Sequence, residues 1–190
     1  FSWNTTFNLG HNSNKVVKLD GEQTQIVSGT QIHKVGSSYR TFYVQEFAGI
    51  NPETGNPLFY TNELDENGNY IKEITENSKN AQFIPYKHAE PTVNGGISNS
   101  LRYKWLDLNF LFSYQFGGYS YDTWAQKTEH GGYDSYANIP TYYRDSWKKP
   151  GDQTNIEVYM LGKSSSVSMH KITSSRRIHS TDSVSYTHLR

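Results

Sequence analysis

The stretch that decides the fold is Ile97–Gly118, ISNSLRYKWLDLNFLFSYQFGG. Taken at every second position, Ile97, Leu101, Tyr103 and Trp105 fall on one side, with Asn99 as the exception. Ser98, Ser100, Arg102 and Lys104 fall on the other. After Trp105 the phase slips by one residue, as a tight turn requires. Leu106, Leu108, Phe110, Phe112, Tyr114 and Phe116 then share one face. Asp107, Asn109, Ser113 and Gln115 share the other, where Leu111 is the apolar intruder. Successive side chains of a strand point to opposite faces, so the pattern predicts a hairpin with one apolar and one polar side. The run from Leu106 to Phe116 has the length of roughly 9–11 residues with which a tilted strand crosses a bilayer. Tyr103 and Trp105 lie at the turn and Tyr114 and Phe116 at the far end, as amphipathic rings do at membrane–water boundaries. A strand pair whose apolar face is the core of a soluble sandwich or jelly roll fits the same pattern.

Upstream, Phe1, Trp3, Phe7 and Leu9 alternate with Ser2, Asn4, Thr6 and Asn8, which predicts a strand over 1–9 that ends at the turn sequence HNSNK. Asn4-Thr5-Thr6 matches a glycosylation sequon but is read as strand. Residues 10–92 carry no sustained helical period; within them NPETGNP is a Pro/Gly turn followed by the short strand LFY. Asp65-Glu66-Asn67-Gly68-Asn69 resembles part of a calcium loop but lacks the downstream glutamate, so a hairpin turn is expected. After Gly118 the chain reads as a long loop up to about Met169, and a fourth strand is expected near 172–182. That loop holds Tyr119, Tyr121, Trp124, Tyr133, Tyr136, Tyr142, Tyr143 and Trp147. Flat rings stack on flat ligands, which makes these residues candidate ligand contacts; packing of the loop on itself is the alternative.

Connection lengths separate the readings. The turn at Tyr103–Leu106 is short, whereas the connections after Leu9 and after Gly118 are long. Short turns on one side and long loops on the other are the layout of outer-membrane barrels. The expected fold is therefore all-β: a partial antiparallel transmembrane β-barrel with long extracellular loops at about 10–92 and 118–170. Phe1, Trp3, Phe7, Leu101, Leu108, Phe110 and Phe112 are expected to face lipid. Asn4, Asn8, Arg102, Asp107, Asn109, Ser113 and Gln115 are expected to face the lumen. Four strands cannot close a barrel, so the chain is expected to be an open piece of a larger one.

Composition narrows the chemistry. The chain has 190 residues, 34% of them hydrophobic and 15% aromatic. That hydrophobic share is below the usual value of about 45–50%. A membrane barrel tolerates it, because only every second residue of a strand must be apolar; so does a sugar-binding sandwich. The 18 basic and 18 acidic residues balance, which offers no basic face for nucleic acid. There is no cysteine, hence no disulfide scaffold and no thiolate metal site. No run approaches the 18 or so apolar residues of a membrane helix. The histidines at 11, 33, 88, 130, 170, 179 and 188 show no HExxH spacing. Glu129-His130 beside Asp134 is read as a solvated loop. No GxSxG, P-loop or dinucleotide fingerprint is present, and no pair of carboxylates is singled out. No catalytic residue, metal or cofactor is therefore expected. Phe1 is not a start Met and FSWNTTFNL is already strand, so the chain is expected to be part of something longer.

Five segments together resemble a known family: FSWNTTFNL followed by NKVVKL, AGINPETGNPLFY, GGISNSLRYKWLDLNFLFSYQFGG, DSWKKPGDQT and SSR. In order and spacing they are similar to the C-terminal barrel region of SusC/RagA-like TonB-dependent outer-membrane transporters. The likeness covers about Phe1–Asp182. It implies localisation in the outer membrane of a Gram-negative bacterium and import of oligosaccharides or peptides. It also implies a SusD-like lipoprotein lid, and energy from the TonB–ExbB–ExbD complex acting on a plug region that this sequence lacks. The domain expected from it is 1–182. Residues 183–190, SVSYTHLR, depart from the family's usual closing strand and are read as an atypical, non-native tail. A secreted carbohydrate-binding β-sandwich is the alternative.

Overall fold

Alternation translates directly into pairing. The computed structural model describes residues 1–133, 138–162 and 167–189. In chain order its strands begin with β1 (Ser2–His11), β2 (Gln25–Ser28), β3 (Gln31–Lys34), β4 (Thr41–Gln45) and β5 (Phe47–Ile50). They continue with β6 (Pro57–Tyr60), β7 (Glu63–Leu64), β8 (Tyr70–Ile71), β9 (Ile74–Thr75) and β10 (Phe83–His88). The last five are β11 (Val93–Tyr103), β12 (Leu106–Phe116), β13 (Tyr119–Tyr121), β14 (Ile178–Ser180) and β15 (Ser183–Leu189). One short helix, α1 (Thr123–Thr128), is capped by Asp122, whose carboxylate accepts from the Ala125 N–H. The chain is thus all-β in character and divides into two compact units. One comprises residues 1–41, 87–120 and 179–190; the other comprises 42–86 and 121–178.

The first unit is built on a four-stranded antiparallel sheet in the order β1-β11-β12-β15. Its register joins Trp3 to Leu101 and Leu108, and Phe7 to Ile97, Phe112 and Tyr186. Cross-strand partners share a face. Trp3, Phe7, Leu101, Leu108, Phe110 and Phe112 therefore lie on one side, and all the polar positions expected to face the lumen lie on the other; Phe1 precedes the paired register. Nothing among the described residues covers the apolar side: Trp3 is 64% exposed and Tyr186 77%. Asn99, the one polar residue of the hairpin on this face, is tied down there. Its Oδ1 accepts from Trp3 Nε1 at 3.2 Å and Thr5 Oγ1 at 2.7 Å. Gly95 is also explained: a Cβ there would sit 2.5 Å from the Tyr114 hydroxyl. The Tyr114 ring crosses Gly95 and its O–H donates to the Asn8 carbonyl of β1 at 3.1 Å. The hairpin closes through Lys104 and Trp105, with Lys104 at φ 52°, the left-handed geometry that matches strand twist.

Two expectations change. The second strand runs from Val93, four residues earlier than 97, because Gly95 and Gly96 pair within it. The fourth strand is not 172–182 but β15, paired with β12 from Asn109↔Leu189 to Gln115↔Ser183. The physical reason lies in burial and period. Ile172 and Ser174 are buried in the second unit, and β14 pairs with β13. Val184 and Tyr186 alternate with Ser183 and Ser185, so the tail continues the two-faced pattern of the sheet.

The second unit has a small core of Phe59, Ala81, Met169 and Ile172 with Phe47 against it. Phe47 and Phe59 meet edge to face, centroids 6.2 Å apart. β5, β6 and β9 form a three-stranded sheet, and β7–β8 is the expected hairpin over Asp65–Asn69. There the Asp65 carboxylate accepts from the N–H groups of Asn67 and Asn69, each at 2.8 Å, which turns the loop.

Candidate functional site

Two surfaces can carry function, one in each unit. The first is the two-sided sheet. Its polar side bears Asn4, Asn8, Asn109, Ser113 and Gln115 and, next to the hairpin turn, a cross-strand ion pair. Arg102 Nε donates to Asp107 Oδ1 at 2.6 Å and Nη2 to Oδ2 at 3.3 Å. Its other side is a belt of mostly aromatic and aliphatic side chains, broken by Thr5 and Asn99 and open to the surroundings.

The second surface belongs to the loops of the second unit, held by an interlock of two segments far apart in sequence. In the turn Asn51–Pro57, the side chains of Asn51, Thr54 and Asn56 all donate to Glu76; the Thr54 and Asn56 bonds measure 2.8 and 3.0 Å. Burial pushes the Glu76 pKa up, but these three donors outweigh it and hold the carboxyl below its ordinary range. Gly55 sits at φ +70°, and a Cβ there would fall 2.6 Å from the Trp147 ring. Trp147 lies on that glycine and donates from Nε1 to the Pro52 carbonyl at 2.7 Å. Around it, the N–H groups of Lys148 and Lys149 both donate to Asp152 Oδ2 at 3.0 Å, and Thr154 Oγ1 donates to the Asp145 carbonyl at 2.8 Å. The segments AGINPETGNPLFY and DSWKKPGDQT are thus two halves of one clasp.

Beneath the aromatic loop lies a buried charge cluster that the sequence did not reveal. Arg177, 1% exposed, donates from Nη1 to Glu129 Oε2 at 2.8 Å and from Nη2 to the Met169 carbonyl at 3.0 Å. Tyr142 donates its hydroxyl to Glu129 Oε1. Tyr143 donates to the buried Glu157 at 3.3 Å. Burial, then the adjoining carboxylates, push both tyrosine hydroxyls far above their ordinary pKa. Glu129 and His130 are therefore not in a solvated loop, as their sequence context suggested; both are buried because Arg177 and Tyr142 satisfy the carboxylate. Asp134 lies outside the described residues. The one available signal for Arg177 was its place directly after the motif SSR.

The eight candidate rings divide. Trp124 on α1 is 73% exposed, and Tyr133 and Tyr142 are partly exposed. Tyr142 and Tyr143 stack at 5.7 Å, but Tyr143 is buried. Tyr121 packs against Phe42, and its hydroxyl donates to Gln126 Oε1 at 3.3 Å. Tyr119 lies in the first unit with Lys87 Nζ 5.3 Å from its ring centre. Trp147 holds the clasp. Tyr136 lies outside the described residues. Trp124, Tyr133 and Tyr142 thus keep part of their rings exposed, with Lys171 Nζ 4.9 Å from the Tyr133 ring centre.

Comparison with known proteins follows the same line. TonB-dependent receptor P3 of Formosa agariphila is 30% identical over 132 residues, which are 62% of this chain and 13% of that protein. TonB-dependent receptor P39 of the same organism is 23% identical over 192 residues, 81% of this chain and 18% of that protein. Among solved structures, the RagAB peptide transporter superposes with a TM-score of 0.75 at 24% identity over 96% of this chain. The RagAB peptide importer in its closed-closed state gives 0.73 at 21% identity over 96%. The chain resembles a SusC/RagA-like TonB-dependent transporter. The likeness to RagAB is one of fold, and this chain spans 20% of the matched chain in each of those two structures. No protein-family model matches it. The relatives are named as receptors and transporters, not as enzymes. Three of the segments that carry the SusC/RagA-like resemblance, GGISNSLRYKWLDLNFLFSYQFGG, AGINPETGNPLFY and DSWKKPGDQT, form the hairpin and the clasp.

Proposed function

We propose that this chain is part of the wall and extracellular loops of an outer-membrane importer of the SusC/RagA-like kind. The observation that carries this reading is the open apolar belt of the β1-β11-β12-β15 sheet, with Trp3, Phe7, Phe112 and Tyr186 in register on a face that no described residue covers. In water such a face would have to be buried; against acyl chains it is at its lowest free energy. The polar side then faces the lumen, the Lys104–Trp105 turn lies on the periplasmic side, and the long connections at about 10–92 and 118–170 are extracellular loops. A sandwich reading needs a second apolar sheet against the first, and the belt has none among the described residues.

In this role the chain performs no bond chemistry. It closes part of the barrel and presents Trp124, Tyr133 and Tyr142 to substrate or to a SusD-like lid; Tyr121, Tyr143 and Trp147 hold the shape of the loop. Substrate is an oligosaccharide or a peptide, and energy comes from TonB–ExbB–ExbD through a plug contributed by another part of the protein. The test is cysteine scanning in the full-length protein, since this chain has no cysteine of its own. Cysteines at Trp3, Phe7 and Phe112 are expected to resist a membrane-impermeant maleimide in intact outer membranes, while Asn8 and Ser113 react. Equal labelling of both sets sinks the barrel reading.

A further inference from the structure

A cavity of about 350 Å³ opens in the aromatic loop, within the range of roughly 300–1,000 Å³ typical of small-molecule clefts. The local backbone builds it. Pro140 opens a single 3-10 turn, Thr141–Asp145, in which the Tyr143 N–H donates to the Pro140 carbonyl at 3.1 Å. The Ser146 N–H then donates to the Tyr143 carbonyl, also at 3.1 Å, and ends the turn. Arg144, Ser146 and Lys148 thereby line one cavity, and Ile139, Pro140 and Tyr159 give it apolar surface.

The charges in this cavity do not balance. Two cations line it and no carboxylate does. Arg144 makes no ion pair among the described residues, and Lys148 Nζ donates to Ser146 Oγ at 3.2 Å. Asp152 is close in sequence, but its carboxylate accepts the Lys148 and Lys149 N–H groups, and it lines a different cavity beside Gly49 and Pro52. Ser146 is buried, and because its oxygen accepts from Lys148, its O–H is left to donate. Guanidinium, ammonium and hydroxyl are thus all donors here. An oxyanion complements them, whereas a cation would meet two like charges and a neutral ligand would forgo the charge-assisted bonds. Inorganic sulfate or phosphate would use the donors but not the apolar lining of Ile139, Pro140 and the Tyr159 ring. We propose that this cavity is a binding site for a small organic acid, with Arg144 and Lys148 holding its carboxylate and Tyr159 against its apolar body. The site stands on its own geometry; that it meets its ligand in the external medium rests on the importer reading, in which 118–170 is an extracellular loop.

The experiment uses the full-length protein, purified from outer membranes. Titration calorimetry at low ionic strength compares benzoate, its neutral isostere benzamide, inorganic sulfate and inorganic phosphate. Benzoate is expected to bind about tenfold or more tightly than the other three. Arg144→Gln combined with Lys148→Gln is expected to weaken benzoate binding about tenfold or more while migration on gels stays heat-modifiable, and Arg144→Lys to retain part of the affinity. Absence of benzoate binding, unchanged benzoate affinity in the double variant, or binding of benzamide, sulfate or phosphate as tight as that of benzoate overturns the site. If the double variant fails to fold, Arg144→Gln alone, at an exposed side chain, gives the same readout. A protein that binds benzoate as expected but shows no heat-modifiable migration overturns the importer reading instead, so the two failures are distinguishable.

Discussion

Replacing Arg177 by Met should loosen the extracellular loops by an amount that the geometry sets. Arg177 leaves two partners behind: the Glu129 carboxylate, 2.8 Å away, and the Met169 carbonyl, 3.0 Å away. Breaking one partner out of a buried ion pair costs about 3–5 kcal/mol. Two effects reduce that here. Tyr142 still donates to Glu129. In addition, Arg177 Nε is buried without a hydrogen-bond partner, so its removal recovers about 1–3 kcal/mol. The net cost is about 2 kcal/mol, the midpoint difference of those ranges. Native-state hydrogen exchange on the detergent-solubilised full-length protein reads it locally, as faster opening of the segments around 123–133 and 168–178 by about thirtyfold. Adding Glu129→Gln to Arg177→Met should restore most of the protection, since the carboxylate that needs the guanidinium is then gone. Exchange within threefold of the unsubstituted protein, or no rescue in the double variant, would refute the reasoning. It would mean that the pair contributes nothing beyond its packing.

Three further outcomes follow from the same coordinates. Gly55→Ala places a Cβ 2.6 Å from the Trp147 ring at a left-handed φ; strain and overpacking together should cost about 2–4 kcal/mol, seen as protease nicking between 145 and 158. Tyr114→Phe removes the cross-strand hydrogen bond to Asn8 and should lower the unfolding midpoint on heat-modifiability gels by the equivalent of about 1 kcal/mol, whereas Gly95→Val should abolish the folded band. Glu76 has its folded pKa below the unfolded value, so its contribution is present above the ordinary carboxylate pKa and is lost as pH falls through the depressed one. Proteolysis of the Asn51–Pro57 turn should therefore rise below about pH 4.5 in the unsubstituted protein and be fast and nearly pH-independent in Glu76→Gln.

What could be read from the residues was set by periodicity. In the sheet, an alternation of period two forces side chains onto faces, so the facing of Trp3, Phe7, Leu108 and Phe112 followed without coordinates. The same rule, applied to Ser183–Tyr186, would have found the fourth strand; the departure from a familiar ending hid a pattern that the residues still obey. The loops were opaque for a different reason. Their contacts join segments without a period: Glu76 with Asn51, Trp147 with Gly55, Arg177 with Glu129. A ring in a loop looks the same in sequence whether it lies on a glycine, as Trp147 does, or stands in solvent, as Trp124 does. Burial of Glu129 could not be seen until its cation, 48 positions on, was placed beside it.

The clasp between the Asn51–Pro57 turn and Trp147 has a consequence for how the chain is made. The Trp147 to Pro52 hydrogen bond spans 95 residues. Synthesis proceeds at about 5–20 residues per second, so the first half of the clasp waits several seconds for the second. During that interval Gly55 has no ring over it, and the turn is an open, glycine-bearing loop of the kind proteases cut first. The clasp thus depends on residues far downstream: in a chain ending before residue 147 the Asn51–Pro57 turn lacks the ring that covers Gly55.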